Sequence, residues 1–179
     1  MPIVLSVPSP LNHAFVSLLC DSYERLLGKR LTAGTPAGQD VAHWLYHEAP
    51  FGVLAQDVSD DPAFVYANTA AQTRFAYSWA EFCGMPSRLS APSADREARQ
   101  SLLAGVTRDG HVQGYRGLRV SGSGQLFWIE DVTIWNLAGE DGVVRGQAAV
   151  IPSWSDACPG RATADRSSGP PSLSTSHPA

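Results

Sequence analysis

His43 and His47 stand one helical turn apart, a spacing that can present two imidazoles to one metal ion. No neighbouring carboxylate or cysteine motif completes a ligand set. Val41, Trp44 and Leu45 instead mark the packed side of an amphipathic helix that carries both histidines on its flank, so no metal is expected. The Ser-Gly-Ser-Gly run at 121–124 contains neither a nucleophile elbow nor a glycine-rich phosphate loop and reads as a hairpin turn. Cys83 reads as a small thiol filling the core, and Asn68 as a helix cap. Arg88, flanked by Ser87 and Ser90, can fix an irregular loop through carbonyl oxygens or bind an anion, and one arginine alone makes a weak anion site.

Glu130 and Asp131 carry the most chemical content. Adjacent strand residues point to opposite faces, so one carboxylate is expected to aim into a packed layer. Arg119, Arg116 or Arg88 can neutralise it, either as a structural ion pair or as the polar anchor of a ligand cavity. A lone cavity carboxylate can in principle abstract a proton from a small carbonyl compound. No nucleophile, base and orienting group can be named together, so no catalytic residue is assigned and no enzyme is expected.

The elements that must position these residues follow from caps and periodicity. Ser9 and Pro10 signal a helix start and Gly28 its stop, with Leu11, Phe15, Leu18, Leu19, Tyr23 and Leu26 recurring at helical spacing. After a loop from Thr32 to Gly38, a shorter helix spans Asp40 to Ala49, ended by Pro50. Phe51 to Asp57 and Phe64 to Asn68 read as strands joined by an Asp-Asp-Pro turn. Asn68 opens a helix containing Phe75, Ser78 and Glu81 form a capping box, and Asp95 to Thr107 makes a further helix with Leu102, Leu103 and Val106 buried. Strands then run over Val112 to Val120, Gln125 to Leu137 and Val143 to Ile151. From Pro152 the chain is rich in Ser, Pro, Gly and Ala and is expected to be disordered.

This order makes an α+β fold with helices on an antiparallel sheet. If Val120 faces Gln125, then Leu118, Val120, Phe127 and Ile129 share one face, and Tyr115, Leu126, Trp128 and Val132 the other. Both faces are apolar, so both need covering, the outer one by the first helix or by a second copy of the chain.

At 179 residues with 44% hydrophobic content, one domain plus tails is expected. Thirteen Lys and Arg against 17 Asp and Glu leave a formal charge of -4, which argues against nucleic acid as a partner. Three dispersed cysteines suggest neither disulfides nor zinc and fit a reducing cytoplasmic home. Met1 to Pro10 holds three prolines and no basic residue, a poor signal peptide, and no apolar run approaches the roughly 20 residues a membrane span needs.

Phe-Val-Tyr-Ala-Asn at 64–68, Phe-Ala-Tyr-Ser-Trp-Ala-Glu-Phe-Cys-Gly at 75–84 and Gly-Glu-Asp-Gly-Val-Val-Arg-Gly-Gln-Ala at 139–148 together resemble a PAS domain. Ala-Pro-Phe at 49–51, Pro-Ser-Arg-Leu-Ser-Ala at 86–91 and Trp-Asn at 135–136 ahead of Gly-Gln-Ala-Ala at 146–149 are similar to the MEKHLA subgroup in free-standing form. The string that names the subgroup is absent, as are a basic helix and heptad zipper.

The resemblance implies a five-stranded antiparallel sheet with short helices on one face, here with the N-terminal helix on the other. The chain accordingly divides into a flanking helix and loop over 1–38 and a PAS-like domain over 39–154, with the tail over 155–179, outside the resemblance, expected to be disordered from its composition. The resemblance also implies sensing or partner contact rather than catalysis. Candidate cavity residues are Tyr66, Phe75, Arg88, Arg119, Glu130, Trp135 and Gln147, although the three aromatics also suit a plain core and Gln147 also suits solvent. Candidate partner-face residues are Phe15, Leu18, Leu19, Tyr115 and Trp128. Some PAS histidines ligate haem, but His111 beside a turn glycine suits the surface better, and Cys83 lacks the Asn-Cys-Arg-Phe-Leu signature of light-sensing flavin domains. No cofactor is assigned. The expected function is a sensory module that binds a small molecule or signals by association, with a ligand-free dimerisation module as the alternative.

Overall fold

The structure is a computed structural model that describes residues 5–158. Helix α1 (His13–Leu27) is capped by Asn12, whose Oδ1 accepts from the Phe15 N–H at 2.9 Å. Ser9 is therefore not the cap; its carbonyl accepts from Asn12 N in the turn ahead. At the other end Gly28, at φ 68°, lets its N–H reach the Glu24 carbonyl at 2.8 Å. Asp40 caps α2 (Val41–His47). Strands β1 (Gly52–Asp57) and β2 (Phe64–Ala67) form a hairpin, and Asn68 opens α3 (Thr69–Phe75).

The capping box of Ser78 and Glu81 holds the single turn of α4 (Trp79–Phe82). Two 3-10 turns, Ser87–Ser90 and Ser93–Asp95, lead into α5 (Arg96–Asp109). The last described elements are β3 (His111–Val120), β4 (Leu126–Ala138), β5 (Val144–Ile151) and β6 (Ser153–Asp156).

The antiparallel sheet has the order β2-β1-β5-β4-β3, and β6 pairs with the first half of β4, Ile129 facing Trp154. The sixth strand corrects the sequence reading, which stopped the sheet at Ile151 and placed Ser155 and Asp156 in a disordered tail. Pro152 lies between β5 and β6, where its missing N–H removes no ladder bond, so the chain continues along the same edge of β4. The rest of the expected tail, residues 159–179, lies outside the described residues.

The central hairpin is one residue out of the expected register. Val120 faces Leu126, Leu118 faces Trp128, and Gly117 faces Ile129. The turn closes instead through Ser121, whose N–H donates to the Gln125 carbonyl. A one-residue slip exchanges faces, so Leu118 and Val120 join Leu126 and Trp128 on the outer side. Arg119 joins Phe127 and Ile129 on the inner side.

Two bulges modify this further. One falls between Val112 and Tyr115, where Gly114 takes φ 69°. The other inserts Glu130 and Asp131 opposite Arg116, with Asp131 at φ 53°.

Helices cover both faces of the central strands, while Leu126 on the outer side is exposed and Leu118, Val120 and Trp128 beside it are only half-buried. On the outer face α1 and α2 bury Phe15, Val16, Leu19, Trp44 and Leu45 against Val53, Tyr66, Trp135 and Leu137. On the inner face α3, α4 and α5 enclose Leu54, Phe75, Phe82, Phe127, Ile129 and Val132. A fully buried Leu or Phe side chain contributes about 2 kcal/mol, so α1 is held by its own chain. Phe15 and Leu19, expected on a partner face, are occupied inside the molecule at 6% and 0% exposure.

Candidate functional site

A slot lies between the inner face of the sheet and α5. Its floor is apolar, with Leu54 from β1, Ile129, Val132 and Ile134 from β4, and Ala149 and Ile151 from β5. Its polar groups are Gln56, Gln147, Ser90, Arg99 and Arg119. The free space holds about 40 Å³ of water-sized occupants. A wider open groove of about 590 Å³ lies beside it, between α5 and the β1–β2 turn. Gln56, Arg99, Leu103 and Gln147 line both.

A row of amides holds this common wall. The two N–H groups of Gln147 Nε2 are shared among the Leu103 carbonyl at 3.1 Å, Thr107 Oγ1 at 3.0 Å and Asn136 Oδ1 at 3.3 Å. Asn136 Nδ2 reaches the Val106 carbonyl at 3.0 Å and that of Thr107 at 3.2 Å. Gln56 Nε2 donates to Gln147 Oε1 at 3.2 Å, and Gln56 Oε1 accepts from Arg99 Nη2 at 3.2 Å. The last turns of α5 are thereby tied to β1, β4 and β5 by side chains that also line the slot.

Arg119 is 6% exposed. Its Nη1 donates to the Leu118 carbonyl at 2.8 Å and its Nη2 to the Tyr115 hydroxyl at 3.3 Å. Gly117 makes this possible, because a Cβ there would stand 2.7 Å from Tyr115 Cζ and 2.9 Å from Arg119 Nη1. Arg99 projects from α5, and its Nε is buried without a partner. Burial, reinforced by the charge of Arg119, pushes the Arg99 guanidinium down to about 10. Among the described residues, neither arginine has a carboxylate within ion-pair distance.

Of the seven candidate cavity residues, the fold brings Arg119 and Gln147 to the slot, Arg88 to the adjoining groove, and places the other four elsewhere. Glu130 lies beside the bulge, 3.9 Å from Arg116 Nε and bonded by the Ser155 hydroxyl, because the inserted residue breaks the alternation that was to turn it inward. Trp135 packs on the outer face, its indole N–H donating to Ser22 Oγ at 3.0 Å and its ring edge-on to Tyr23. Tyr66 lies in the same layer between Phe15 and Trp79, where burial pushes its unpartnered hydroxyl well up. Phe75 is solid core between Phe82 and Phe127. Arg88 pairs with Asp61 at 3.0 and 3.2 Å, half exposed.

The partner-face candidates also separate. Tyr115 faces inward beside Arg119, while Trp128 stays outside under the guanidinium of Arg116, 3.7 Å from its ring centre. Leu18 remains half-buried. The His43 and His47 rings lie 4.6 Å apart, tilted by 41°, on the exposed flank of α2, and His111 opens β3 away from the slot. Among the described residues no cluster of three or more His, Cys, Asp or Glu side chains is placed to hold a metal ion. Nor is any described helix long and apolar enough to cross a membrane.

Arg99 and Gln56 escaped the sequence reading although both left a signal. Arg99 stands three, four and seven residues before Leu102, Leu103 and Val106, so it occupies the buried stripe of α5. Gln56 stands two residues after Leu54, on the same inward face of β1.

The description "MEKHLA domain" belongs to the family model that matches residues 13–156. No curated protein matches the chain. Among solved structures it is similar to the PAS domain of a protein from Colwellia psychrerythraea, with 18% identity and a TM-score of 0.53 over 63% of this chain and 90% of that one. It is also similar to the blue-light activated histidine kinase of Erythrobacter litoralis EL346, with 21% identity and a TM-score of 0.52 over 66% of this chain and 37% of that one. A light-oxygen-voltage protein of Rhodobacter sphaeroides matches with 12% identity and a TM-score of 0.51, over 60% of this chain and 61% of that one. These identities establish likeness of fold, that of PAS and light-oxygen-voltage domains. Matched by the family model over most of its length, the chain belongs to the MEKHLA domain family.

Proposed function

We propose that the chain is a sensory module without a catalytic step, which takes a small molecule between the sheet and α5 and passes its occupancy to a protein partner through the hold on that helix. The observation that carries this reading is the slot itself. Protein interiors pack to crystal-like density with few voids larger than a water, yet here about 40 Å³ stays open under α5. That space suits about three waters. A larger ligand needs the common wall of slot and groove to move, and that wall is held by side-chain amides as well as by the apolar contacts of Leu102, Leu103 and Val106. Val106 is the only fully buried residue of α5. Helix α5 is thus the element whose position ligand entry changes most readily.

The test is native mass spectrometry on protein purified from its own or a related host, paired with hydrogen exchange. A small molecule lost on denaturation, and slower exchange of the α5 amides when it is bound, are the expected results. A bare protein mass together with α5 exchange that no small molecule alters sinks the reading and leaves a ligand-free interaction module.

A further inference from the structure

Two arginines share the wall of one slot without an acidic partner. A buried guanidinium normally finds a carboxylate, because an isolated charge in an apolar wall carries a desolvation cost that attraction does not offset. Arg119 is almost wholly buried and has only a carbonyl and a tyrosine hydroxyl for company. Arg99 has one side-chain amide oxygen and a buried N–H with no acceptor. Each also raises the cost of the other, and burial first and the charge of Arg119 second lower the proton affinity of Arg99. Two nearby acids are engaged elsewhere, and Asp95, which lines a cleft with both arginines, pairs with neither. Asp57 Oδ1 accepts from Ser59 and Ala63 within its own turn, and Asp61 holds Arg88. The pair of cations therefore has no carboxylate within ion-pair distance among the described residues.

We propose that the ligand supplies a carboxylate: the slot takes a monocarboxylate with a short apolar tail, its carboxylate shared by Arg99 and Arg119 and its tail lying on the floor made by Ile129, Val132 and Ile151. The inference rests on the ligand-binding reading above. A planar carboxylate matches the planar guanidinium fork, and the Nε–H of Arg99 is a buried donor without an acceptor among the described residues. A doubly charged phosphate costs more to bring over an apolar floor, and in about 40 Å³ even butyrate enters only as the wall shared with the groove moves.

Butyrate and hexanoate, their primary amides and inorganic phosphate are titrated into the full chain. Affinity is read by calorimetry and the arginine Nε–Hε resonances by nuclear magnetic resonance. The carboxylates are expected to bind and to shift the Arg99 Nε–Hε signal, and each amide to bind at least about 10-fold more weakly. Arg99→Met and Arg119→Met should each weaken carboxylate binding about 10- to 100-fold while leaving amide binding in place. Arg119→Lys, which keeps the charge and loses the fork, should fall between wild type and Arg119→Met.

Amides that bind as well as carboxylates overturn the anion site and leave the ligand reading intact, as does a neutral molecule found in the native mass spectrum. Tighter binding of phosphate than of either carboxylate overturns the carboxylate class. No response to any probe, with a bare native mass, removes both the inference and the reading it rests on.

Discussion

Asn68 uses every hydrogen-bonding position its amide has. Its Oδ1 accepts from Val53 N at 2.9 Å and Ala71 N at 3.2 Å, and its Nδ2 donates to the carbonyls of Leu45 and Phe51 at 3.1 and 2.9 Å. It is fully buried, so Asn68→Ala leaves four backbone groups without partners at the junction of α2, β1 and α3. The expected loss is about 3 kcal/mol, measurable as a shifted denaturant midpoint. Asn68→Asp keeps the two acceptors but loses both donations, and should recover little of it. A change below about 1 kcal/mol for Asn68→Ala would reduce the residue to an ordinary cap. That ordinary cap is all the sequence announced, because the other three bonds join segments that only the tertiary fold brings together. Glu130 fails in the opposite direction: strict alternation is a local rule, and the bulge that cancels it is set by pairing across two strands.

At the scale of elements, helices were legible wherever a cap met a stripe. Asp40, Asn68 and the Ser78–Glu81 box open the helices expected of them. What the sequence left open was which face each stripe covers and in what register strands meet, since the hairpin could close through either of two neighbouring pairs. The slot was least legible, because its polar wall combines Gln56, Arg99, Arg119 and Gln147 from four separate elements. The role of α1 follows from its burial. Leu19 has no exposure, Ser22 holds the indole of Trp135, and Arg25 Nη1 caps the Ala138 carbonyl at 3.0 Å. A chain lacking residues 1–28 uncovers Tyr66, Trp135 and Leu137 together. It should lose cooperative unfolding and bind an apolar dye such as ANS. A truncated chain with a dispersed amide spectrum and a sharp melt would show that the sheet keeps its outer face folded without α1.

For the whole molecule, alkaline pH probes how well the two cores exclude charge. Burial pushes the thiols of Cys20 and Cys83 up to about 11, from an ordinary value of 9.0. Between those values the unfolded chain releases protons that the folded chain keeps, so their contribution to stability is complete below pH 9 and falls as pH rises toward 11. Arg99 acts with the opposite sign. Its folded-state value is lowered to about 10, so above pH 10 the folded chain is the one that releases a proton and part of the fall is masked. The clean window therefore runs from pH 9 to pH 10. There the melting temperature of the wild type should fall, and that of a Cys20→Ala, Cys83→Ala variant should fall less. The same burial leaves about 100-fold less thiolate at mildly alkaline pH, whereas Cys158 is exposed. A thiol reagent at pH 8 should accordingly label one cysteine fast and two slowly. Three equal rates would mean that both cores open to solvent on the labelling timescale, and α5 would then no longer be distinguished as the element that yields first.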